Sequence, residues 1–329
     1  MDKKITIVYM EKYCDKYLHY KKQYLTHGDT ETWRKYKKYK AKYKRQLLGG
    51  GNVTDPVNQL TVVTYNIANL AKGKKDINVL DNIIDILREC QADVICLQEV
   101  GIANGQNQAA LIAKQLDMDF HFEQASLRHQ EQGYIYTHKG ITKNQGMIYG
   151  NAVLGKKSLH MKPIMPVRMS RGSLVKDNGE RMSGADEGRV ATAVIIHSNS
   201  NPRSEIICIS THLAKHNSYD KKNGSSLIPV SKITEAFAYK NSLPSILAGD
   251  LNVTPTSPTI KYLSRHGWQN IPSDNTRADE GIKIDYIMPR NSKHIELKPL
   301  RHQKVITTTK TQQSSDHLPL VAKFQIINH

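Results

Sequence analysis

The sequence predicts an α/β fold, and three observations carry that prediction. From Leu60 onward, short β-rich runs alternate with stretches whose apolar residues recur at helical spacing. These runs are punctuated by Gly, Pro, Asn and Asp, the residues that favour chain reversal. Polar side chains also stand where an apolar run stops: Asn66, Glu99, Thr211 with His212, Asp250 with Asn252, Asp285, and Asp316 with His317. In a sandwich or doubly wound sheet the strand ends on one rim converge, so these residues can share one site.

Residues 1–48 differ from everything after them. They carry 14 Lys and Arg against 5 Asp and Glu, about half of the chain's net charge of +17. Tyr9, Tyr13, Tyr17, Tyr20 and Tyr24 recur at helical spacing, and Trp33, Tyr36, Tyr39, Tyr43 and Leu47 do so again after a break at residues 27–30. Asp29 or Thr30 would cap the second helix. The expectation is a basic, aromatic-striped helical hairpin, its tyrosines either packed inward or docking nucleic acid or another protein. Its Lys/Tyr-rich composition resembles N-terminal segments of giant nucleocytoplasmic DNA virus proteins. Residues 49–58 read as a Gly-rich linker, whose glycines behind leucines would also suit a processing protease, and residues 59–329 as the main domain.

Within that domain, 60–67 is a β-rich run ending near Asn66, and 77–89 is a helix with apolar residues at 80, 83, 84 and 87. Residues 93–97 form a buried strand delivering Gln98 and Glu99. A helix over 106–116 leads to a strand over 119–123. The interval 127–145 reads as a surface loop with one short strand at 134–136. Strands follow at 152–154, 190–197 and 206–210, with a polar excursion at 169–188. A helix near 257–264 precedes strands near 284–288 and 318–326.

The stretch Ser245 to Pro255 concentrates the chemistry. An apolar run ends at Gly249, and Asp250 and Asn252 follow with one apolar residue between them. Alternation along an extended backbone would put both side chains on one side. Such groups at the end of a buried strand either cap a turn or bind a metal, a phosphate or a water.

Composition narrows the function classes. The hydrophobic fraction of 39% supports a real core, and the excess of positive charge predicts attraction to polyanions. Nowhere do about eighteen apolar residues run together, and residues 5–10 are too short for a signal-peptide core. Cys14, Cys90, Cys96 and Cys208 are widely spaced, with no C-x-x-C pair. The expectation is a cytoplasmic, unsecreted protein with reduced thiols, in host cytoplasm or virion if viral.

Eight ordered motifs then carry a family resemblance: T-Y-N-I (64–67), L-Q-E-V (97–100), G-N-A-V-L (150–154), E-G-R-V-A (187–191), S-T-H-L (210–213), A-G-D-L-N (248–252), K-I-D-Y-I (283–287) and S-D-H-L-P (315–319). In order and spacing they resemble the endonuclease/exonuclease/phosphatase superfamily of DNase I-like metal-dependent phosphoesterases. The resemblance implies a four-layer α/β sandwich, two packed mixed β-sheets flanked by helices. It implies Mg²⁺, or Mn²⁺, held by Glu99 with Asp316 and Asn66 near it, which suits a hard cation that prefers oxygen ligands. Asp250 would orient or deprotonate the attacking water, and Asn252 would hold a phosphate oxygen. His317, oriented by Asp285, and His212 would donate to non-bridging oxygens or protonate the leaving group. Arg189 and Asn66 would contact the substrate phosphate, although Arg189 could equally pair with Glu187 on the surface.

The sequence departs from the abasic-site endonucleases of that superfamily. They typically carry a tyrosine where Ser210–Thr211–His212 stands and an acid where Ala68 stands, and their aromatic pocket segment is replaced by polar residues 273–280. An arginine is usual at Lys283. The histidine pattern looks more like the DNase I, sphingomyelinase and tyrosyl-DNA phosphodiesterase branches. The substrate expectation is therefore nucleic acid, DNA above all, with the basic surface following a phosphate backbone. A lipid or inositol-phosphate phosphoesterase is the alternative, for which 227–230 is a short apolar candidate; a non-enzymatic nucleic-acid-binding or virion role is the third.

Overall fold

The structure, a computed structural model, describes residues 59–70, 78–103, 105–128, 134–137, 140–143, 147–170, 189–197, 204–214, 227–238, 243–277 and 279–329, with residues 19, 20, 31 and 35 near the start. The chain divides into two compact units, residues 1–56 and 57–329. In the first, the described residues His19, Tyr20, Glu31 and Lys35 are helical. Lys35 Nζ pairs with Glu31 Oε1 at 2.7 Å and stands 5.9 Å from the centroid of the Tyr20 ring. The remainder of the expected hairpin, and the Gly-rich linker, lie outside the described residues.

The second unit runs β1 (Gln59–Asn66), α1 (Val79–Cys90), β2 (Val94–Ala103), β3 (Gln106–Asn107), α2 (Gln108–Leu116), β4 (Met118–Arg128), β5 (Tyr134–Thr137), β6 (Gly140–Lys143), β7 (Met147–Lys156), β8 (Lys162–Ser170), β9 (Arg189–His197) and β10 (Glu205–His212). It continues with α3 (Leu227–Ala238), β11 (Ser245–Asp250), α4 (Pro258–Arg265), β12 (Asp285–Arg290), β13 (Ile295–Pro299), β14 (Lys304–Val305), α5 (Thr309–Ser314) and β15 (Leu320–Asn328).

Two sheets result. One has the order β13-β15-β1-β2-β7-β4, with β14 on β15 and β3 on β2; the other has the order β12-β11-β10-β9-β8. β1 pairs β2 and β10 pairs β11 in parallel, whereas β15, β9 and β12 run antiparallel to their neighbours, so both sheets are mixed.

The apolar runs are continuous because both faces of the central strands are covered. Val62, Val94, Cys96, Val194, Cys208, Ile246 and Phe324 fill the space between the sheets. Their alternates on β1 and β2, Val63, Tyr65, Ile95 and Leu97, face α1 and α2 through Ile83, Leu87 and Ile112. Ile207, Ile209 and Leu247 meet α3 and α4 through Val230, Ile233 and Leu263. The result is helix, sheet, sheet, helix: a four-layer sandwich. Local chemistry starts the helices where it should. Asn78 accepts from Asp81 N, Asn107 accepts from Ala109 N and Ala110 N, and Ser257 accepts from Ile260 N with Pro258 in the first turn.

Several elements differ from the sequence expectation. β8 is an addition to it, because Pro163 and Pro166 argue against a strand; it is the edge of the five-stranded sheet, where its pairing shifts register between Ile164 and Val167 and proline is tolerated. Among the described residues of 127–145, two short strands, β5 and β6, pair antiparallel where the sequence predicts one, and β4 runs on to Arg128. Residues 227–230 open helix α3, and Val230 is fully buried in the core, so this is not an exposed apolar hairpin. β13, β14 and α5 are further additions, being short segments that side-chain periodicity does not distinguish from loop. Among the described residues, no helix is long and apolar enough to cross a membrane.

Candidate active site

Parallel pairing brings the polar strand ends to one rim. Asn66 is level with Gln98 at the end of the β1–β2 pair, and His212 is level with Asp250 at the end of the β10–β11 pair. The antiparallel β12 begins there, with Asp285 opposite Asp250. Turns at these ends then set each side chain.

Glu99 shows how. Gln98 points between the sheets, bonding Thr64 Oγ1 at 3.1 Å and Ser210 Oγ at 3.0 Å. A regular strand would turn Glu99 to the opposite face. Instead the β2–β7 register shifts between Leu97 and Val100, and Glu99 takes φ 55°. This bulge re-aims Glu99 so that Oε1 lies 3.1 Å from Asn66 Nδ2 and 4.0 Å from His212 Nδ1.

A similar device acts after β11. Gly249 has φ 148°, and a Cβ there would stand 1.9 Å from the carbonyl oxygen of Thr211. Only glycine allows β11 that close to β10. Asp250 and Asn252 share a side, but not by strand alternation. Asn252 has φ 52°, its N–H donates to Asp250 Oδ1 at 2.9 Å, and its Nδ2 donates to the carbonyl of Leu213 at 2.8 Å. That turn places Asn252 Nδ2 3.0 Å from His212 Nε2.

Asp250 is the meeting point. Its Oδ2 accepts from Asn66 Nδ2 at 3.1 Å and lies 3.4 Å from His212 Nε2 and 3.5 Å from His317 Nε2. The other face of His317 is held by Asp285, with Nδ1 2.9 Å from Oδ2. Ser315 Oγ donates to the Asn66 carbonyl at 2.7 Å and accepts from His317 N at 3.1 Å, which ties the His317 turn to β1.

The electrostatics follow from crowding acids in a dry rim. Burial first, then the negative charge of Asp285, pushes the Asp250 carboxyl up to about 7. Burial alone would lower the pKa of His317, but the charge and hydrogen bond of Asp285, with Asp250 and Asp316 behind it, outweigh that and carry the imidazole to about 9. Lys283, 7% exposed, is drawn down to about 8 by burial; its Nζ donates to the Ile271 carbonyl at 2.9 Å and lies 4.7 Å from the Tyr286 ring centroid.

Of the expected site residues, Asn66, Glu99, His212, Asp250, Asn252, Asp285 and His317 thus form one connected cluster. Asp316 adjoins it, its Oδ2 3.3 Å from Arg277 Nη1. Arg189 is the first residue of β9 and 8% exposed; the next residue, Val190, accepts from Asn151 Nδ2 at 2.7 Å. Glu187, the alternative partner of Arg189, lies outside the described residues. Of the residues expected at the cation, Glu99 offers carboxylate oxygens and Asp316 is paired to Arg277. Asn66 turns its Nδ2 to Glu99 and Asp250, and its Oδ1 accepts from Ala68 N at 3.0 Å. Among the described residues, Asp250, Asp285 and His317 also bring one ligand atom each within 4.8 Å of one another. The carboxylates of Glu99, Asp250 and Asp285 are the hard oxygen donors a small divalent cation requires.

Sequence reasoning missed Tyr149, whose hydroxyl is 3.4 Å from His212 Nδ1, and Asn151, although both stand beside or inside the G-N-A-V-L motif. It also missed Thr276 and Arg277, which lie in a polar stretch with no periodicity to mark them.

A model of the Endonuclease/Exonuclease/phosphatase family matches residues 63–317. The chain belongs to that family. It is accordingly a hydrolase of phosphoester bonds, in a family whose chemistry is typically dependent on divalent metal. No curated protein matches the chain. Solved structures show the same fold at low identity. An endonuclease/exonuclease/phosphatase from Beutenbergia cavernae is 17% identical, with TM-score 0.59 over 82% of this chain and 72% of that one. The human nocturnin catalytic domain with bound sulfate is 17% identical, with TM-score 0.57 over 82% and 94%. ANGEL2, a 2′,3′-cyclic phosphatase, in complex with adenosine-2′,3′-vanadate, is 16% identical, with TM-score 0.53 over 82% and 96%.

Proposed function

We propose that this family member is a Mg²⁺-dependent phosphodiesterase acting on nucleic acid, DNA above all. One observation carries the reading: Asp250, 1% exposed, meets Asn66 from the first sheet, His212 from the second, and His317 from the turn before β15. A buried carboxylate with three such neighbours is arranged for proton handling at an anionic substrate.

Glu99 would hold the cation, with Asp316 and Asn66 near it. When bound, the metal supplies positive charge to a phosphate oxygen. The remaining roles belong to the chain. Asp250, with its pKa near neutrality, orients the attacking water and takes its proton, because a general base works best when its pKa lies near the working pH. The cationic His317 donates a hydrogen bond to the phosphate or a proton to the leaving oxygen, held to that task by Asp285. Asn252 and His212 contact the non-bridging oxygens, and the Arg189 guanidinium adds a phosphate contact.

The net charge of +17 supports a polyanionic substrate. The leader, with about half of that charge, would add affinity without reading sequence, or dock a protein partner. On its composition we read the chain as a viral protein working in host cytoplasm or virion.

The test is hydrolysis with Mg²⁺, Mn²⁺ or EDTA of plasmid DNA, single-stranded DNA, RNA, a 5′-tyrosyl oligonucleotide, sphingomyelin and an inositol polyphosphate. Mg²⁺-dependent cleavage of nucleic acid that disappears in Asp250→Asn is the expected result. Cleavage of only the lipid or the inositol phosphate would overturn the substrate and keep the chemistry.

A further inference from the structure

The dipeptide Thr276–Arg277 touches both halves of the Asp285–His317 pair. Thr276 Oγ1 accepts from the backbone N–H of Ile284 and of Asp285, each at 3.1 Å, which anchors the start of β12. The Thr276 carbonyl accepts from Leu318 N at 2.8 Å, and Arg277 forms a backbone bridge with His317. Its side chain continues the clamp. Nη1 lies 3.3 Å from Asp316 Oδ2, while Nε and Nη2 donate to the two carboxylate oxygens of Asp279 at 3.0 and 2.8 Å. Nη2 is also 3.0 Å from Glu280 Oε1. The Arg277 side chain is 13% exposed and that of Asp316 17%, so water competes weakly for this pair. A planar guanidinium engaged in two directions fixes its partners in a way an ammonium does not.

We propose that Arg277 is a positioning residue of the active site: it holds Asp316 in an ion pair, fixes the turn that presents His317 to Asp250, and commits Asp316 to that pair instead of to the metal. The inference rests on the metal-dependent reading above, and it changes one role there. Asp316 becomes a structural anion, and Glu99 carries the cation. Thr276 and Arg277 acquire a function: they set the spacing between β12 and the His317 turn.

The experiment measures Mn²⁺ binding directly, by the electron paramagnetic resonance signal of free Mn²⁺, alongside kcat and KM on a small phosphodiester. The proteins are the full-length wild type, Glu99→Gln, Asp316→Asn, Arg277→Met, Arg277→Lys and the double variant Asp316→Asn/Arg277→Met. Melting curves confirm that each is folded. Expected are a loss of Mn²⁺ affinity in Glu99→Gln, an unchanged Mn²⁺ Kd in Asp316→Asn and Arg277→Met, and a fall in kcat of about 10–100-fold in these two with KM little changed. The double variant should be no worse than either single one, and Arg277→Lys should recover part of the loss. Weakening of Mn²⁺ by Asp316→Asn as large as that by Glu99→Gln would overturn the proposal. So would losses of kcat that multiply in the double variant. If Glu99→Gln binds Mn²⁺ normally, the assignment of the metal to Glu99 fails, and the coupling of Arg277 to Asp316 is still decided by the double variant.

Discussion

His317 Nδ1 sits 2.9 Å from Asp285 Oδ2, with the two side chains 3% and 1% exposed. In so dry a place the carboxylate is the reason the ring keeps its proton, and the opposite nitrogen is turned to Asp250. Asp285→Asn removes that charge without removing the side chain. The His317 pKa should then fall from about 9, because burial is left to act with only Asp250 and Asp316 opposing it. If cationic His317 is the working form, the alkaline limb of the kcat/KM profile moves toward acid by about one pH unit or more. A limb that stays in place would remove His317 from the proton-donating role.

Folding stability should carry the same imprint. His317, raised above its unfolded value, contributes stability that is complete below about pH 6.5 and is lost as pH rises through about 9. Asp250, also raised, is protonated in the fold up to about 7, so the cost of burying its charge appears between about pH 4 and pH 7. Both shifts make the folded state bind more protons. The metal-free protein is expected to lose Tm from pH 5 to pH 9, and Asp250→Asn should flatten the lower part of that slope. Calorimetry across the interval checks it; a rising Tm would contradict the electrostatic account.

Gly249→Ala should be severely destabilising. The added carbon meets the Thr211 carbonyl at 1.9 Å in a backbone conformation that side chains disfavour. Overpacking and backbone strain together cost about 3 kcal/mol or more. Urea denaturation measures this, and a loss under about 1 kcal/mol would mean that β10 and β11 can separate there.

Removing residues 1–48 should weaken binding to DNA and reduce its salt dependence, while leaving kcat on a small phosphodiester unchanged. Filter binding at several salt concentrations, with the small-substrate assay beside it, separates these effects. Loss of both would make the leader part of the catalytic unit.

The α/β order of strands and helices is legible in the sequence because its signals are local, whereas the four-layer sandwich is implied by the family resemblance. Ile246 to Ala248, Ile206 to Ile209 and Leu60 to Val63 form nearly unbroken apolar runs, which only a strand covered on both sides permits. The helices α1, α2 and α4 are legible as elements, α1 by its apolar periodicity, while their caps Asn78, Asn107 and Ser257 emerged with the structure. β8 and α3 are not legible: prolines mask the strand, and the helix resembles a short apolar loop until the core it fills is present. In the site, the polar strand ends are legible as a set. The left-handed turns at Glu99 and Asn252 are not, because neither is glycine and a positive φ is held there by surrounding contacts.

The residues by themselves determined the strand cores, the polar groups that end them and the excess of positive charge, since each depends on neighbours within a few positions. Adjacency was decided only by the tertiary structure. Asn66 and Asp250 are 184 residues apart, yet the Asn66 amide nitrogen donates to the Asp250 carboxylate at 3.1 Å, and His317, 251 residues from Asn66, stands beside both. Arg277 likewise is a partner of Asp316 only because its backbone bridges to His317 in the folded chain. The physical reason is that strand pairing and the packing of the two sheets are long-range events. They fix which strand ends meet, and the meeting creates the desolvation and charge coupling that shift Asp250 and His317.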